Sequence, residues 1–546
     1  MTLQQKESKW RIALCLFAAY ALFACSDDKD VPNIDDEEPP VTEISVPTPN
    51  PYLATEHYSI THFNSAQTDA FPYAVKSGTY PINPDECDGI WSGPVNLMTL
   101  SSTDPDYMWG MCSDRVSYIR IADGGFKRVA EAALPNGIQM NSEEDLKKLV
   151  NTQYTSTEQL YADATEILGR YPQMAMSNGN YVLCDKDNYA YTNARTVICR
   201  YKLKEAGNPA AGIILDKQID MSPYMENPQT LVGMVMTYDG YLVVAAGNGI
   251  AIIDREFSKT PVVKLLPDDQ VITNSASVDD RNGIYIASNS RTPGGKGIMH
   301  KYIWKDGKLS EDENDGAWTA HYDGGPEAPA IKMGYGTGST PTLMGFGDDE
   351  DKLVVITDGS KRMKLVAFWR DEIPEDVVSV DAGNPRIAGQ QEISCGLPAS
   401  TEWIQSEQSV VVSGYGAFVV NNVIPNTVAD KIVAVLSITP LRSGTSPMGY
   451  GKEPMELSMD TARRKLDQHD TFRKLDIQYG IRKRLYNSRR LGSKRLGLGY
   501  GRHYPPGGLR TGQPWKRRLR HHPILRKRGF VIQLRGRSFP REIITG

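Results

Sequence analysis

Short apolar segments separated by turn residues recur along most of the chain, from about residue 85 to residue 445. One pair occupies 241–246 and 250–254 and flanks Gly247-Asn248-Gly249, whose residue types tolerate the positive φ angles of tight hairpins. Segments of the same kind occupy 107–111, 116–121, 181–184, 196–201, 284–288, 297–304, 353–358, 364–369 and 409–414. This pattern predicts a fold built from antiparallel β-hairpins.

The spacing of the turns favours a propeller over other all-β folds. The turn acids Asp187, Asp239 and Asp280 are 52 and 41 residues apart, and repeats of about 40–50 residues with several strands each are typical of β-propellers. A β-sandwich needs only about seven to nine strands, too few for a chain of 546 residues. We therefore expect an all-β protein, with a β-propeller of six to eight blades, seven being favoured, over residues 51–451.

One stretch at about 141–170 departs from the strand pattern. Ser142 precedes the acidic start of an amphipathic segment, and Thr155-Ser156-Thr157-Glu158 matches a helix capping box. These features predict two helices inserted in one loop. Packing against a blade is the favoured role for them, and binding of a partner is the alternative.

The N-terminus predicts export. Three basic residues are followed by a 12-residue apolar stretch at 12–23, which is too short for a stable membrane span, and then by Cys25. This arrangement resembles a bacterial lipoprotein signal, which implies cleavage after residue 24 and lipid on Cys25. The alternative is an ordinary signal peptide with an incidental cysteine.

Residues 25–50 are acidic and rich in proline, as expected of an extended, solvated tether. The tether also resembles the export tag of lipoproteins on the outer face of some Gram-negative outer membranes. That resemblance implies a lipid-anchored protein exposed at the cell surface, and a plain linker is the alternative.

The last 95 residues differ in charge from the rest of the chain. The formal net charge is −5 overall, but it is −23 for residues 1–451 and +18 for residues 452–546. A basic nucleic-acid-binding arm would explain the arginine clusters, but an exported lipoprotein rarely meets nucleic acid, so no nucleic-acid partner is expected. A one-base shift of an allowed codon choice for 521–541 restores two apolar strands around a turn. We therefore predict a frameshift near Gly451, a non-native tail, and a propeller that is incomplete at its C-terminal blade.

Five cysteines remain once Cys15 and Cys25 are assigned to the signal and to lipidation: 87, 112, 184, 199 and 395. Their odd number implies at least one free thiol. Cys184 and Cys199 could flank one hairpin as a disulfide. No zinc-binding spacing is present in the sequence.

Four strings carry a resemblance to a known family: 62–69, 273–279, 336–345, and 355–358 together with 363–368. Over roughly residues 50–450, the chain resembles secreted bacterial β-propeller lipoproteins that are quinoprotein-like or YVTN-type in fold and largely without assigned activity. The resemblance implies a propeller and an exported location. It supplies no catalytic residues.

Propeller ligands tend to lie at the central channel, where one strand from each blade converges. Residues at predicted strand ends are therefore candidate ligand residues, and turn capping is the alternative for Asn274 and Asp358. A polar cluster is expected where the N-terminal segment crosses the ring, although a structural role is favoured for its histidine. The candidate channel residues are His62, Asn64, Asp69, Asn274, Thr340, Thr357 and Asp358.

Known catalytic and cofactor motifs are missing from the sequence. There is no G-x-S-x-G nucleophile elbow, and the glycines of 334–338 are not followed by the lysine of a phosphate-binding loop. No metal site is predicted and no cofactor is evident, while calcium or a quinone remains open.

Two functions follow from these expectations. The first is a surface-exposed binding or scaffold propeller for a polymer, a glycan or a protein partner, attached to the membrane through lipid on Cys25. The second is a propeller enzyme, either a quinone-dependent dehydrogenase or a metal-assisted lactonase or lyase, with its site in the channel. The absence of a metal-ligand cluster favours the first.

Overall fold

The structure, a computed structural model, describes residues 45–54, 62, 64–70, 79–81, 90–92, 98–152, 157–168, 181–226, 231–326, 335–348, 350–375, 381, 383–395, 397–419, 421 and 456–458. These residues belong to one compact unit, 45–546. The predicted signal peptide, Cys25, Cys87 and nearly all of the basic tail lie outside them. In the described part, no helix is long and apolar enough to cross a membrane.

The described chain is all-β apart from two helices, and it forms successive antiparallel sheets that we call blades. Strand β1 (Thr79–Pro81) precedes them. Blade 1 contains β2 (Met98–Ser101), β3 (Tyr107–Met111), β4 (Arg115–Arg120) and β5 (Lys127–Ala133). Helices α1 (Glu143–Asn151) and α2 (Thr157–Leu168) follow blade 1. The Oγ atom of Ser142 accepts a hydrogen bond from the backbone N–H of Asp145 at 3.0 Å and so caps α1.

The later blades follow in chain order. Blade 2 contains β6 (Leu183–Cys184), β7 (Ala190–Ala194), β8 (Val197–Leu203) and β9 (Ile213–Asp220). Blade 3 contains β10 (Leu231–Met236), β11 (Tyr241–Ala246), β12 (Gly249–Asp254) and β13 (Val262–Leu265). Blade 4 contains β14 (Gln270–Val271), β15 (Ser277–Val278), β16 (Gly283–Ser290), β17 (Lys296–Lys305), β18 (Lys308–Ser310) and β19 (Trp318–Asp323). Strands β14 and β15 pair with opposite ends of β16, and we refer to β15 as the first strand of this blade. Blade 5 contains β20 (Thr342–Met344), β21 (Leu353–Thr357), β22 (Lys364–Trp369) and β23 (Ile387–Glu392).

Two short sheets complete the described strands. Blade 6 contains β24 (Val411–Ser413) and β25 (Gly416–Phe418). Strand β26 (Glu456–Ser458) pairs antiparallel with β1. Since the other residues of 452–546 lie outside the described ranges, the frameshift stays a prediction.

The hairpin predicted at 241–254 is confirmed. Strand β11 pairs with β12 in continuous register, from Tyr241 opposite Asp254 to Ala246 opposite Gly249. Neither Gly247 nor Asn248 has a positive φ, contrary to the expected turn chemistry. The strict need for glycine is at Gly249, where a Cβ atom would lie 2.2 Å from the backbone oxygen of Lys264 on β13.

Each blade packs face to face on the next one. Separate apolar clusters join blades 1 and 2, 2 and 3, 3 and 4, 4 and 5, and 5 and 6. Central strands are therefore covered on both faces, which explains why β11 and all of β21 except Thr357 are apolar. Four-stranded meanders that stack in chain order form a β-propeller, which confirms the predicted fold.

The turns after the first strands repeat between blades. In blade 2, the Tyr191 hydroxyl donates to Oδ2 of the buried Asp185 at 2.9 Å. In blade 4, the Tyr285 hydroxyl donates to Oδ2 of Asp279 at 2.7 Å. Both pairs are six residues apart, so the two turns are equivalent positions of one repeat.

A second repeated contact links neighbouring blades. Oδ1 of Asn188 accepts a hydrogen bond from the N–H of Thr103 in the preceding blade at 3.2 Å. Oδ1 of Asn282 accepts from the N–H of Tyr238 at 2.7 Å in the same way. Both asparagines have left-handed backbones, with φ of 63° and 62°, a conformation that asparagine tolerates well.

The suggested disulfide between Cys184 and Cys199 is wrong. Both thiols are free and buried. Cys184 lies on β6 and Cys199 on β8, and β7 runs between them. Two strand spacings are about 9.6 Å, beyond the reach of a disulfide.

Candidate functional site

The first strands of the later blades converge on one short segment, which we call the axial loop (residues 62 and 64–69). The backbone oxygen of Ser65 accepts from Val278 N–H on β15 at 2.7 Å. The oxygen of Ala66 accepts from Leu343 N–H on β20 at 3.0 Å, and that of Thr68 from Val412 N–H on β24 at 2.9 Å. Three blades can donate hydrogen bonds to carbonyl groups within four consecutive residues only if the first strands of those blades surround this segment. The axial loop therefore lies along the propeller axis.

A second N-terminal segment, the belt (residues 45–54), crosses the base of the axis, the end at which the first strands finish. Oγ1 of Thr48 donates to Oδ2 of Asp280, just beyond β15, at 2.9 Å. The Asn50 side-chain amide donates to the Met236 oxygen at the end of β10 and to Oγ of Ser65, both at 2.9 Å. The belt thus meets the axial loop and covers the base.

A small cavity of about 60 Å³ remains beside the axial loop. It lies against the first strands of blades 1, 2 and 3, and Asn64, Ser65 and Gln67 line it from the loop side. A water molecule needs about 10–15 Å³ by this measure, so the cavity has room for a few waters and not for a large ligand.

The opposite end of the axis, the mouth, is where the first strands begin. Tyr181 precedes β6, Asn274 precedes β15 and Thr340 precedes β20. The axial loop brings His62 and Asp69 to the same place. We call these five residues the axial cluster.

Hydrogen bonds join the axial cluster into one chain. Nδ1 of His62 lies 3.0 Å from Oδ2 of Asp69, and its Nε2 lies 3.2 Å from Oγ1 of Thr340. The Thr340 hydroxyl donates to Oδ1 of Asn274 at 2.8 Å. The Tyr181 hydroxyl also donates to that oxygen, and its ring stacks on the His62 ring at a centroid distance of 5.9 Å.

The axial cluster is buried on the side of Thr340 and partly exposed on the side of His62 and Asp69. Thr340 is fully buried, whereas the side chains of His62 and Asp69 are 13% and 22% exposed. Burial raises the pKa of Tyr181, and the charges of Asp69 and Glu407 act in the same direction. Tyr181 is therefore a neutral hydrogen-bond donor at ordinary pH.

The axial loop has an unusual backbone. His62, Gln67 and Asp69 have φ angles of 62°, 60° and 56°. Each such residue costs on the order of 1–3 kcal/mol, and strain of this kind concentrates at functional sites. The hydrogen bonds of the loop to several blades offset this cost.

Four of the predicted site residues meet here: His62, Asp69, Asn274 and Thr340. Asn64 lies in the same loop, but its side chain caps the turn by donating to Oγ1 of Thr68 at 2.7 Å.

Asp358 is a turn residue and not part of the cluster. Its Oδ1 atom accepts from the N–H groups of Ser360 and Lys364 at 3.1 and 2.8 Å. Burial raises its pKa although Lys364 lies 3.3 Å away. Thr357 is likewise occupied, since its hydroxyl lies 2.7 Å from that of Ser339.

Tyr181 is the cluster member that sequence reasoning missed as a site residue, because it was assigned to a strand. Its position just before a first strand, equivalent to those of Asn274 and Thr340, is the signal that could have identified it. Within the described ranges, no group of three or more His, Cys, Asp or Glu side chains could hold a metal ion.

No protein-family model matches the chain. An uncharacterised protein of Archaeoglobus fulgidus is 33% identical over 204 residues, which are 37% of this chain and 37% of that protein. The chain thus spans little more than a third of the relative that it matches.

Two solved structures show only a distant likeness. The virginiamycin B lyase of Staphylococcus aureus has a TM-score of 0.25 and 13% identity, over 49% of this chain and 68% of that one. A europium-containing methanol dehydrogenase has a TM-score of 0.36 and 8% identity, over 64% and 61%. Scores this low carry no argument about activity, and the propeller fold rests on the sheet topology described above.

Proposed function

We propose that this chain is an exported binding propeller whose ligand site is the axial cluster at the mouth of the axis. The observation that carries the proposal is the hydrogen-bonded chain from Asp69 through His62 and Thr340 to Asn274. It unites the axial loop with two blades and leaves a partly exposed carboxylate above a buried polar base.

The chemistry of the mouth favours a glycan as the ligand. Oδ2 of Asp69 is engaged by His62, which leaves Oδ1 as an acceptor for hydroxyl groups. The Tyr181 ring beside it supplies apolar surface of the kind that packs on sugar rings. Hydroxyl-rich polymers match this combination better than anionic ligands, which Asp69 and Glu407 would repel.

A glycan array probed with the full-length protein tests the proposal. Wild type should retain at least one class of glycan, and Asp69→Asn should weaken that binding at least tenfold. The matched control is Asp306→Asn, an exposed acid on the turn between β17 and β18, which should bind as wild type does. The proposal fails if no glycan is retained, or if Asp69→Asn binds equally well.

Cell-surface attachment through Cys25 is part of the proposal. It is supported by the basic residues, apolar stretch and cysteine of the N-terminus, and by the acidic tether that follows. Labelled palmitate should be incorporated by wild type and by Cys15→Ala but not by Cys25→Ala. Labelling of the Cys25 variant would contradict the proposed anchor.

A second candidate is a propeller enzyme of the lyase or lactonase type. The observation in its favour is the pairing of Asp69 with His62, in which a carboxylate orients a partly exposed imidazole that could act as a general acid. Turnover of a bound glycan that His62→Gln abolishes, with binding retained, would select this candidate over simple binding.

A further inference from the structure

The hydrogen bonds of Asn274 fix where the Thr340 proton lies. The Asn274 side-chain N–H donates to the Gly338 oxygen, and its Oδ1 accepts from the Ser275 N–H at 2.9 Å. Oδ1 is therefore the oxygen end of the amide and can only accept. Thr340 lies 2.8 Å from that oxygen, so the Thr340 hydroxyl is the donor in this contact.

The proton positions on His62 follow. The hydroxyl hydrogen of Thr340 points to Asn274, so we assign Nε2 of His62 as the donor to the Thr340 oxygen across 3.2 Å. The Asp69 carboxylate can only accept, so Nδ1 must donate to it across 3.0 Å. An imidazole that donates from both nitrogens is the protonated, positively charged form.

We infer that a protonated His62 latches the axial loop into the propeller axis, and that loss of its proton loosens the loop. This inference concerns the regulation of the site proposed above. It rests on the proposed function in one respect, namely that the mouth is a ligand site. His62 is here a positioning residue, since it holds Asp69 and Thr340 in place.

A neutral His62 cannot satisfy the same network. With one proton on Nδ1, its Nε2 would present a lone pair to the Thr340 oxygen. The Thr340 hydroxyl would have to turn away from Asn274 to donate to His62, and Asn274 would lose one donor. Deprotonation thus removes a hydrogen bond and also the charge-assisted pairing with Asp69.

The latch closes the loop at both ends. His62 and Asp69 lie at the two ends of the axial loop. The carbonyl groups between them accept hydrogen bonds from the first strands of blades 4, 5 and 6. The strained backbone at both residues favours release once their side chains no longer pair. The amides of Val278, Leu343 and Val412 are therefore direct reporters of loop docking.

The charged groups near the His62 ring have the same sign. Among the described residues, Asp69 faces His62 from its own loop, and Glu407 lies close enough to act on the neighbouring Tyr181. Tyr181 from blade 2 is neutral, as are Asn274 from blade 4 and Thr340 from blade 5. Both of these charged neighbours are anionic, so a doubly protonated ring pairs with them more strongly than a neutral ring does. The latch should therefore hold more tightly at pH 5.0 than at pH 8.5.

Hydrogen exchange read by mass spectrometry tests the latch on the full-length protein without ligand. Protection factors, which correct for the intrinsic pH dependence of exchange, are compared at pH 5.0 and pH 8.5 for peptides containing Val278, Leu343 and Val412. We expect protection to fall about five- to tenfold at the higher pH, as the loss of one hydrogen bond would give.

Two variants test whether His62 causes the pH dependence of protection. His62→Gln should show low protection at both pH values, whereas His321→Gln, at an exposed histidine on β19, should behave as wild type. Equal protection of wild type at both pH values, or a pH dependence retained in His62→Gln, overturns the latch. Because no ligand is present, a failure of glycan binding leaves this result unaffected, and the reverse also holds.

Discussion

The Oγ1 atom of Thr340 lies 3.2 Å from Nε2 of His62, although 278 residues separate the two in the chain. His62 belongs to the axial loop, and Thr340 lies two residues before the first strand of blade 5. The contact joins an N-terminal segment to the middle of the propeller. It makes the candidate site a product of the whole fold rather than of one motif.

The blade-to-blade contact of Asn188 should contribute measurably to stability. Its Oδ1 accepts from Nε1 of Trp109 at 3.0 Å, and the Trp109 side chain is fully buried. Asn188→Gly keeps the left-handed backbone but removes this acceptor, which should lower the free energy of unfolding by about 2 kcal/mol in urea denaturation. Asn136→Gly, at an exposed position with φ of 64°, should change it by less than about 0.5 kcal/mol. Equal effects of the two changes would show that Asn188 does not link the blades.

The close approach of blades 3 and 4 at the axis leaves no room for a side chain at Gly233. A Cβ atom there would lie 2.4 Å from Cα of Ser275, and backbone cannot move as a flexible side chain can. Gly233→Ala should destabilise the protein by about 2–3 kcal/mol. At Gly247 the nearest atom would be 3.8 Å away, so Gly247→Ala is the matched control and should cost much less. A tolerated alanine at 233 would contradict the axial packing.

Strands that are apolar throughout were predictable, and those that face solvent were not. The predicted segment 107–111 coincides with β3, which is almost entirely buried. By contrast β9 (Ile213–Asp220) is half-buried or exposed at every residue after Ile213 and was not predicted. Strand β15 has only two residues, too few to produce a period. The outer strands and the shortest first strands therefore escape a hydrophobicity argument.

Arg255 should stabilise the fold in a pH-dependent way. Its Nη1 lies 2.9 Å from Oδ2 of Asp185, which is fully buried. Burial raises the pKa of Asp185, and the nearby Arg255 charge opposes that rise. In Arg255→Gln, an ionised Asp185 loses its counter-ion, so the unfolding free energy should fall by about 2 kcal/mol at pH 7.5.

The loss should be smaller at pH 4.5, because burial raises the pKa of Asp185, so this carboxyl takes up a proton at a higher pH than an exposed one, and the protonated form no longer needs the partner. Lys186→Gln removes an exposed partner of Asp187 and should cost less than about 0.5 kcal/mol at both pH values. A loss from Arg255→Gln that is the same at both pH values, or larger at pH 4.5, would refute this assignment.

The described cysteines should be inert in the folded protein. Burial raises the pKa of Cys112, Cys199 and Cys395 to about 12 and that of Cys184 well above its usual value. Iodoacetamide at pH 8 followed by peptide mapping should leave these four thiols unmodified in native protein. All four should be alkylated in urea without prior reduction. If Cys184 and Cys199 were modified in urea only after a reductant was added, the two would be joined by a disulfide, contrary to the structure.

The candidate site was predictable in part. The expectation that the N-terminal segment crosses the ring placed His62 and Asp69 together, and strand-end reasoning selected Asn274 and Thr340. Their contacts depend on the relative placement of three blades and the axial loop, which no local pattern encodes. Asp358 carried the same local signal as Asn274 but caps the turn between β21 and β22, so residue type and strand position do not separate ligand residues from turn caps.

A double-mutant cycle between His62 and Thr340 tests most directly whether the axial loop docks at the mouth. The unfolding free energies of wild type, His62→Gln, Thr340→Val and the double variant are measured at pH 5.5, with His321→Gln and Thr340→Val as the control pair. We predict a coupling energy of about 1 kcal/mol for the first pair and additivity within about 0.4 kcal/mol for the control. Additivity of His62→Gln and Thr340→Val would contradict the account, because the two side chains would then not interact.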